Sequence, residues 1–596
     1  MLKDMLNEFI SHQLQYPEFD PDTLVVHNYR LKPGIYFRLH EDGTMDELHL
    51  TKKTILPEND PLLDWFKQAD FASSLIEMNK PVDPKKQIHS NNYFTLFLKR
   101  ETFFQQGELH PQLVGHINRY FEALLSSPDQ KSADILRASQ YEPLSAEAVM
   151  QSKECFLAAL PEIRERLRQK EEKKELKEND NCYIKLYLAA PLDAYSYESG
   201  RYLLPKIFNS NSYNLESGDQ VLGLSNANMG LNAKKPYLEH KTTAFKVSYR
   251  ITAEEGVLLR KLFLWLDGQE REGKSLYAGY IPVGKHLPGL LNTATEMQAR
   301  KPAAYVHFVR GMGLTIDDYD FLPNFRDQMD KPIDFRNYLD VSDYPGNRLN
   351  KRSVVEAHIN TYLYGGQLVR NYDEDRLKVS DYLSHALATQ VMMSRTAMHA
   401  WLRKGNEFPL KSKGAVDRIT MGVLLARLQN LKYIPALAQA LNVRLALLQY
   451  FNEGDNDMAE TIVSTYEQLK ERVLHTENRK EHIVCQSSVE FYLAVGQLFY
   501  YYFSKSAAQK LHYDVLWRAV VAASNVEEVK RENFKHFKKY GHEIDLSNPR
   551  FNHLLCVVTS YEPVEEEPIN LDALFYGFAV SNIIYYKEEK ETPAKE

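Results

Sequence analysis

Residues 34–50 read GIYFRLHEDGTMDELHL, two strand-like runs on either side of the turn Glu41-Asp42-Gly43-Thr44. Asp-Gly supplies the left-handed backbone that a tight turn needs, so the segment is expected to be a β-hairpin. Outward from it, Leu24-Val25-Val26, Tyr93–Leu98, Tyr183–Leu188, Ala244–Ile251 and Ala304–Val309 carry strand patterns, and Gln112–Leu125 and Ala146–Lys177 carry helical ones. After Pro345-Gly346 the period changes. From Lys351 onward apolar residues recur at three and four, and strand-like alternation is hard to find. The expected fold class is therefore α+β: a mixed α/β N-terminal domain followed by an all-helical C-terminal domain, a helix bundle. The expected domains are 1–345, a helical middle segment 346–452, and a C-terminal bundle 453–596. The joint between the last two is the polar stretch Asn452–Asp457, and the tail from Lys587 is expected to be disordered.

With 596 residues the chain is too long for one core, and 80 acidic against 73 basic residues give a net charge of −7. Bulk charge therefore does not make it a nucleic-acid-coating polycation, and any polyanion site must be local. Residues 201–310 hold 15 Lys/Arg against 9 Asp/Glu, and 351–450 hold 14 against 7, so cationic excess is concentrated in two blocks. The charged stretch Arg164–Glu178 reads as a solvated helix face. Cys155, Cys182, Cys485 and Cys556 stand far apart, which suggests a reduced, cytoplasmic chain with neither disulfide framework nor metal site. The N-terminal MLKDMLNEFISHQL reads as an amphipathic helix rather than a signal peptide, and the longest apolar run, Phe491–Phe503, is too short to span a bilayer.

One enzyme pattern is present. Gly268–Ser275 satisfies GxxxxGK[ST], with Lys274 where a P-loop lysine would stand. A P-loop follows a strand and opens a helix, whereas here Thr252-Ala-Glu-Glu255 reads as a capping box leading into a helical stretch before the glycine, and Gly279, Pro282 and Gly284 break any helix after it. The pattern is expected to be a helix-to-strand turn, and a P-loop ATPase is the alternative. No further catalytic set is found, so the chain reads as a non-enzyme without cofactor.

Three polar clusters suit nucleic acid. Lys85, Lys86, His89, Asn91, Asn92, Lys99 and Arg100 surround an aromatic strand. Asn226, Asn228, Asn232, Lys234 and Lys235 form a loop whose amides could pair with base edges. A helix opened by the box Ser524–Glu527 gathers Arg531, Lys535, Lys538 and Lys539 opposite Val526, Val529, Phe534, Phe537 and Tyr540. Each also has a plainer reading, as turn-satisfying amides or a solvated face.

Four stretches in order, IHSNNYFTLFLKRE (88–101), NAKKPYLEHKT (232–242), IDDYDFLPNF (316–325) and EFYLAVGQLFYYYFSKSAAQK (490–510), with GFAVSNIIYY (577–586) near the end, resemble the Csh-type large subunit of type I-B CRISPR Cascade complexes over nearly the whole chain. The resemblance implies a non-catalytic subunit at the crRNA 5′-handle end of a ribonucleoprotein for antiviral defence. Such a subunit recognises the protospacer-adjacent motif (PAM) in double-stranded target DNA, aids duplex opening and stabilises the displaced strand. Its implied partners are crRNA, target DNA, the backbone subunits, a small subunit and a helicase–nuclease, with no membrane. On this footing Asn226, Asn228, Asn232, Lys234 and Lys235 are the candidates for PAM and adjacent phosphates, with the seven residues of the 85–100 cluster for the RNA handle or a backbone subunit. Arg531, Lys535, Lys538 and Lys539 would then line the displaced-strand path. Some relatives carry paired cysteines that look zinc-binding; here Cys155 and Cys182 are single, and no metal is expected. The last methionine, Met458, is a candidate internal translation start that would yield a small-subunit-like fragment; the alternative is an ordinary linker methionine. A protein-interaction scaffold whose basic blocks bind acidic partners is the remaining alternative.

Overall fold

A computed structural model describes residues 6–7, 9–10, 20–27, 29–51, 54, 60–176, 182–208, 211–224, 250–271, 278–282, 293–297, 299–310, 314–372, 377, 384–428, 433–451, 458–476, 483–506, 520–563 and 567–587. Most of the N-terminal stretch, most of Ala244–Ile251, the joint 452–457 and all but the first residue of the tail lie outside them. The chain divides into two compact units, Met1–Leu291 with Val306–Tyr319, and Asn292–Tyr305 with Asp320–Glu596. The second unit thus begins ahead of the compositional break at Pro345-Gly346.

In the first unit the turn chemistry is obeyed. Strands β1 (Gly34–Leu39) and β2 (Met45–Leu50) pair antiparallel from Gly34↔Leu50 to Leu39↔Met45. Gly43 takes φ +82°, and Asp42 Oδ1 accepts the Thr44 N–H at 2.9 Å. β3 (Thr95–Lys99) and β4 (Tyr183–Leu188) complete a sheet in the order β2-β1-β4-β3, with β1 parallel to β4. Leu24-Val25-Val26 is helical instead of extended. Helix α1 (Pro21–His27) has Pro at its first position, and Asp20 Oδ2 accepts the Thr23 N–H at 3.0 Å, a cap that outweighs the β-branched run.

Helix α2 (Pro61–Ser73) covers one sheet face, where Phe66 meets Tyr36 and Tyr187. Helices α3 (Leu113–Leu125) and α4 (Ala146–Glu172) cover the other, packing Ile117, Phe121 and Ile163 with Ile35, Phe37 and Leu186. Alternate residues of each strand thereby enter different cores. On α4 the charged stretch forms the expected ladder, Arg166 to Glu162 at 2.6 Å and Arg168 to Glu165 at 3.0 Å, and Lys170 also reaches Glu47 at 2.6 Å. α5 (Leu192–Leu203) follows β4. The box at Thr252 is formed as read: Thr252 Oγ1 accepts the Glu255 N–H at 3.1 Å and Glu255 Oε2 the Thr252 N–H at 3.0 Å, opening α6 (Ala253–Arg271). β5 (Ala278–Pro282), β6 (Lys301–Arg310) and β7 (Leu314–Phe325) form a sheet in that order, residues 301–305 and 320–325 of the last two strands being counted in the second unit.

In the second unit β8 (Gln328–Phe335) and β9 (Asn347–Lys351) make an antiparallel pair, after which every regular element among the described residues is helical. The principal helices are α7 (Arg352–His358), α8 (His385–Lys404), α9 (Ala415–Leu428), α10 (Ile434–Phe451), α11 (Met458–His475), α12 (Ser488–Ser504), α13 (Val526–Tyr540), α14 (Pro549–Ser560) and α15 (Leu571–Ala579). One core cluster runs from Met329 to Ile584, so the segments on either side of 452–457 share a core.

The apolar run Phe491–Phe503 is the centre of this bundle. α12 is buried nearly all round, as expected of a core helix, and no helix among the described residues is long and apolar enough to cross a membrane. Its one polar interruption is used: Gln497 Nε2 donates to Gly577 O at 2.5 Å and Oε1 accepts the Ile583 N–H at 2.7 Å. α12 and α15 cross at Gly496 and Gly577. A Cβ at Gly496 would lie 2.3 Å from Leu574 O, and one at Gly577 would lie 2.3 Å from Leu493 O.

Candidate nucleic-acid interface

The 85–100 cluster separates into structural and displayed residues. Asp83 is fully buried and organises the loop. Its Oδ2 accepts from Gln87 N at 2.7 Å and Ile88 N at 3.1 Å, while Oδ1 accepts from Lys85 N and Arg119 Nε, each at 3.0 Å. Burial works against its charge, but Arg119 and the three N–H groups outweigh it and hold the carboxyl below the usual range. The loop exposes Lys85 and Lys86.

Asn91 and Asn92 are turned inward. Asn91 Nδ2 donates to Ala72 O and Ser74 O, both at 2.9 Å, satisfying carbonyls at the end of α2. Asn92 Nδ2 donates to Ser73 Oγ at 3.0 Å, and its Oδ1 accepts the Phe94 N–H at 3.0 Å. In this arrangement neither amide is available to a base edge. His89 is buried against Tyr183, its Nδ1 3.0 Å from the phenol oxygen, and burial depresses its pKa. Arg100 is buried in an ion pair with Glu171. Of the seven candidates, Lys85, Lys86 and Lys99 remain exposed, with Lys86 Nζ 3.2 Å from Asn79 Oδ1 and Lys99 Nζ 3.6 Å from Glu101.

The loop Asn226, Asn228, Asn232, Lys234 and Lys235 lies outside the described residues. So do residues 272–275 of the P-loop pattern; Gly268–Arg271 form the last turn of α6, where a P-loop would have its loop.

The third cluster stands on α13. Its cap is one residue later than the sequence suggests: Asn525 Oδ1 accepts the Glu528 N–H at 2.9 Å, and Glu528 Oε2 accepts the Ser524 N–H at 2.8 Å. Val526, Val529 and Tyr540 are buried, and Asn533 Oδ1 accepts from Tyr502 at 2.8 Å, which seats the helix on α12. Arg531, Lys535, Lys538 and Lys539 are all exposed. Lys535 pairs with Glu532 and Lys539 lies over the Tyr540 ring, while Arg531 and Lys538 make no ion pair or hydrogen bond among the described residues. Phe534, expected on the apolar face, is 38% exposed. Three residues separate it from Arg531 and four from Lys538, so it shares their face. An exposed ring among cations is a surface on which a base can stack while its phosphates meet the charges.

Sequence reading also passed over Arg260. It lines a cleft of about 1060 Å³ in the first unit, between α1, α2, α5 and α6, and makes no hydrogen bond or ion pair among the described residues. Burial lowers its pKa. Asp20, Asp64 and Asp193 line the same cleft, so its charge does not favour a polyanion. Among the described residues no group of three His, Cys, Asp or Glu side chains converges as a metal site would require. Met458 is the first residue of α11 and 41% exposed.

No protein family, curated protein or solved structure matches the chain.

Proposed function

We propose that the chain is the non-catalytic large subunit of a type I-B CRISPR Cascade effector, cytoplasmic and bound to crRNA. In this role it reads the PAM in target DNA, aids duplex opening, holds the displaced strand and helps recruit the helicase–nuclease. The observation that carries the reading is the exposed face of α13, where the Phe534 ring stands among Arg531, Lys535 and Lys538. That pairing suits a single strand better than an acidic protein, which would use the charges but not the ring. The resembling stretches also supply architectural elements: 316–325 lies within β7 and 490–504 within the central helix α12. The Asn226–Lys235 loop is the proposed PAM reader, with Lys85, Lys86 and Lys99 the exposed cations for the RNA handle or a backbone subunit.

The test is selection by the assembled complex from duplexes whose target-flanking positions are randomised. Enrichment of one short motif, lost on substituting Asn226→Ala and Asn228→Ala, is the expected result. Enrichment of a motif that survives both substitutions would remove the loop from the reading, and absence of any motif preference would remove PAM recognition.

A further inference from the structure

A second cationic site lies in the helical unit, built from segments that the sequence keeps apart. A pocket of about 260 Å³ is lined by Arg300, by Leu322–Arg326 from the end of β7, by Gln328 and Asp330 of β8, by Arg352 at the start of α7, and by Lys404 and Gly405 at the end of α8. Four of these side chains are cations and one, Asp330, is a carboxylate. Asp330 Oδ1 already serves two guanidinium groups, Arg326 at 2.5 Å and Arg300, whose hydrogen bonds hold its carboxyl below the usual range. Arg352 Nη1 donates to Trp401 O at 3.2 Å, and Lys404 stands 3.4 Å from Asp320 and over the Tyr305 ring.

After these bonds the Nε groups of Arg326 and Arg352 are buried and have no acceptor. A buried donor without a partner is costly, the more so when it is charged, and two of the guanidiniums that line the pocket carry one, a cost that an anion held in the pocket would offset. The ligand must be anionic, because the three guanidiniums of the lining face a single carboxylate, Asp330, while the ammonium is offset by Asp320. It must also be small: drug-sized ligands occupy about 300–1,000 Å³, and this pocket is below that range. Guanidinium forks match phosphate oxygens.

Exposed aromatics close in sequence to the pocket lining suggest the rest of the ligand. Phe321, next to Leu322 in β7, is 52% exposed, and Phe408, three residues past Gly405, is 82% exposed. Exposed Lys411 and Lys413 follow. We propose that this pocket holds a backbone phosphate of a single nucleic-acid strand whose neighbouring bases stack on Phe408 and Phe321. The inference rests on the nucleic-acid reading above but places a binding site in a part of the chain for which that reading names none.

The test uses the full chain and a fluorescein-labelled oligothymidylate, with anisotropy followed over a range of salt. Arg300→Gln with Arg326→Gln weakens binding about tenfold and lowers the salt slope by roughly 0.7 for each phosphate that is no longer neutralised. Asp330→Asn, which frees two guanidiniums, tightens binding, whereas Glu467→Gln, an exposed carboxylate on α11, does so less. Circular dichroism establishes that each variant is folded. The gain expected of Asp330→Asn provides a readout that misfolding would not imitate. Wild-type affinity and slope in the arginine variant, or equal effects of Asp330→Asn and Glu467→Gln, overturns the proposal. If Lys535→Gln with Lys538→Gln weakens binding while the pocket variants do not, the pocket falls and the nucleic-acid reading stands. If the wild-type chain does not bind the probe and the assembled complex carries no RNA, both fall. Pocket variants that lose polyglutamate but keep the oligonucleotide would assign the site to an acidic protein segment and also overturn the proposal.

Discussion

Replacing Arg444 by Met should destabilise the helical unit more than any exposed substitution in it. Arg444 is 1% exposed on α10 and ties three helices together. Nε and Nη2 grip Asp572 of α15 at 2.6 and 2.7 Å, Nη2 also meets Asp417 of α9 at 2.6 Å, and Nη1 donates to Asp417 O and Thr420 Oγ1 at 2.9 and 2.7 Å. In the variant the Asp417 side chain, 56% exposed, regains water, but the Asp572 side chain, 8% exposed, is left charged and buried. Removing one partner of such a pair costs about 3–5 kcal/mol. Asp572 lies in the first turn of α15, where the helix N-terminus offers about 0.3–1 kcal/mol of compensation, so the lower end applies. At about 2–4 °C per kcal/mol for a large domain, the transition of this unit should fall by roughly 6–12 °C. The assay is thermal unfolding of the full chain by circular dichroism, with urea titration as a check. Arg444→Met with Asp572→Leu should recover most of the loss, because no buried charge remains. A single variant that loses less than about 1 kcal/mol, or a double variant no better than the single, would mean that Arg444 does not hold a buried charge in balance.

Other outcomes follow from the same packing. Gly577→Ala forces a methyl against Leu493 O across the α12–α15 crossing and should cost about 1–3 kcal/mol, read from the urea midpoint. Asn92→Ala removes the amide that ties residues 92–95 to the end of α2 and should lower stability by about 1–3 kcal/mol, while binding of a labelled RNA handle by the folded variant stays unchanged. His358 is buried against Phe335, Tyr344 and Tyr362, and burial lowers its pKa to about 4. The unfolded chain therefore binds more protons below its ordinary pKa, near 6.5. Stability is full above about pH 6.5 and declines by about 3 kcal/mol as pH falls to about 4. His358→Phe should flatten that part of the pH–stability curve. Lys538→Gln should leave the thermal midpoint unchanged, yet reduce the salt dependence of single-strand binding by about 0.7 if it meets one phosphate.

What the sequence discloses is what short-range chemistry determines. Asp42-Gly43 fixes the β1–β2 hairpin, Thr252 and Glu255 fix the start of α6, and the change of apolar period after Pro345-Gly346 marks the helical half. Where two local signals compete, the reading can take the weaker. Val25-Val26 suggests a strand, but the Asp20 cap and Pro21 make a helix. Side-chain roles set by distant partners are not visible. Asn91 and Asn92 look like base readers until the end of α2 is placed beside them. Phe534 fits an apolar stripe in sequence, but the helix turns it among cations. The phosphate pocket draws Arg300, Arg326, Arg352 and Lys404 from separate segments, and no spacing rule joins them.

The central question is whether this chain belongs to an RNA-guided complex. Co-expression with the genes neighbouring its own, purification through a tag on this chain, and sequencing of the co-purifying RNA decide it. Repeat-derived guide RNA at near-equal stoichiometry is the expected result. A clean, RNA-free chain from the same co-expression, especially one that hydrolyses ATP in a manner abolished by Lys274→Ala, would contradict it.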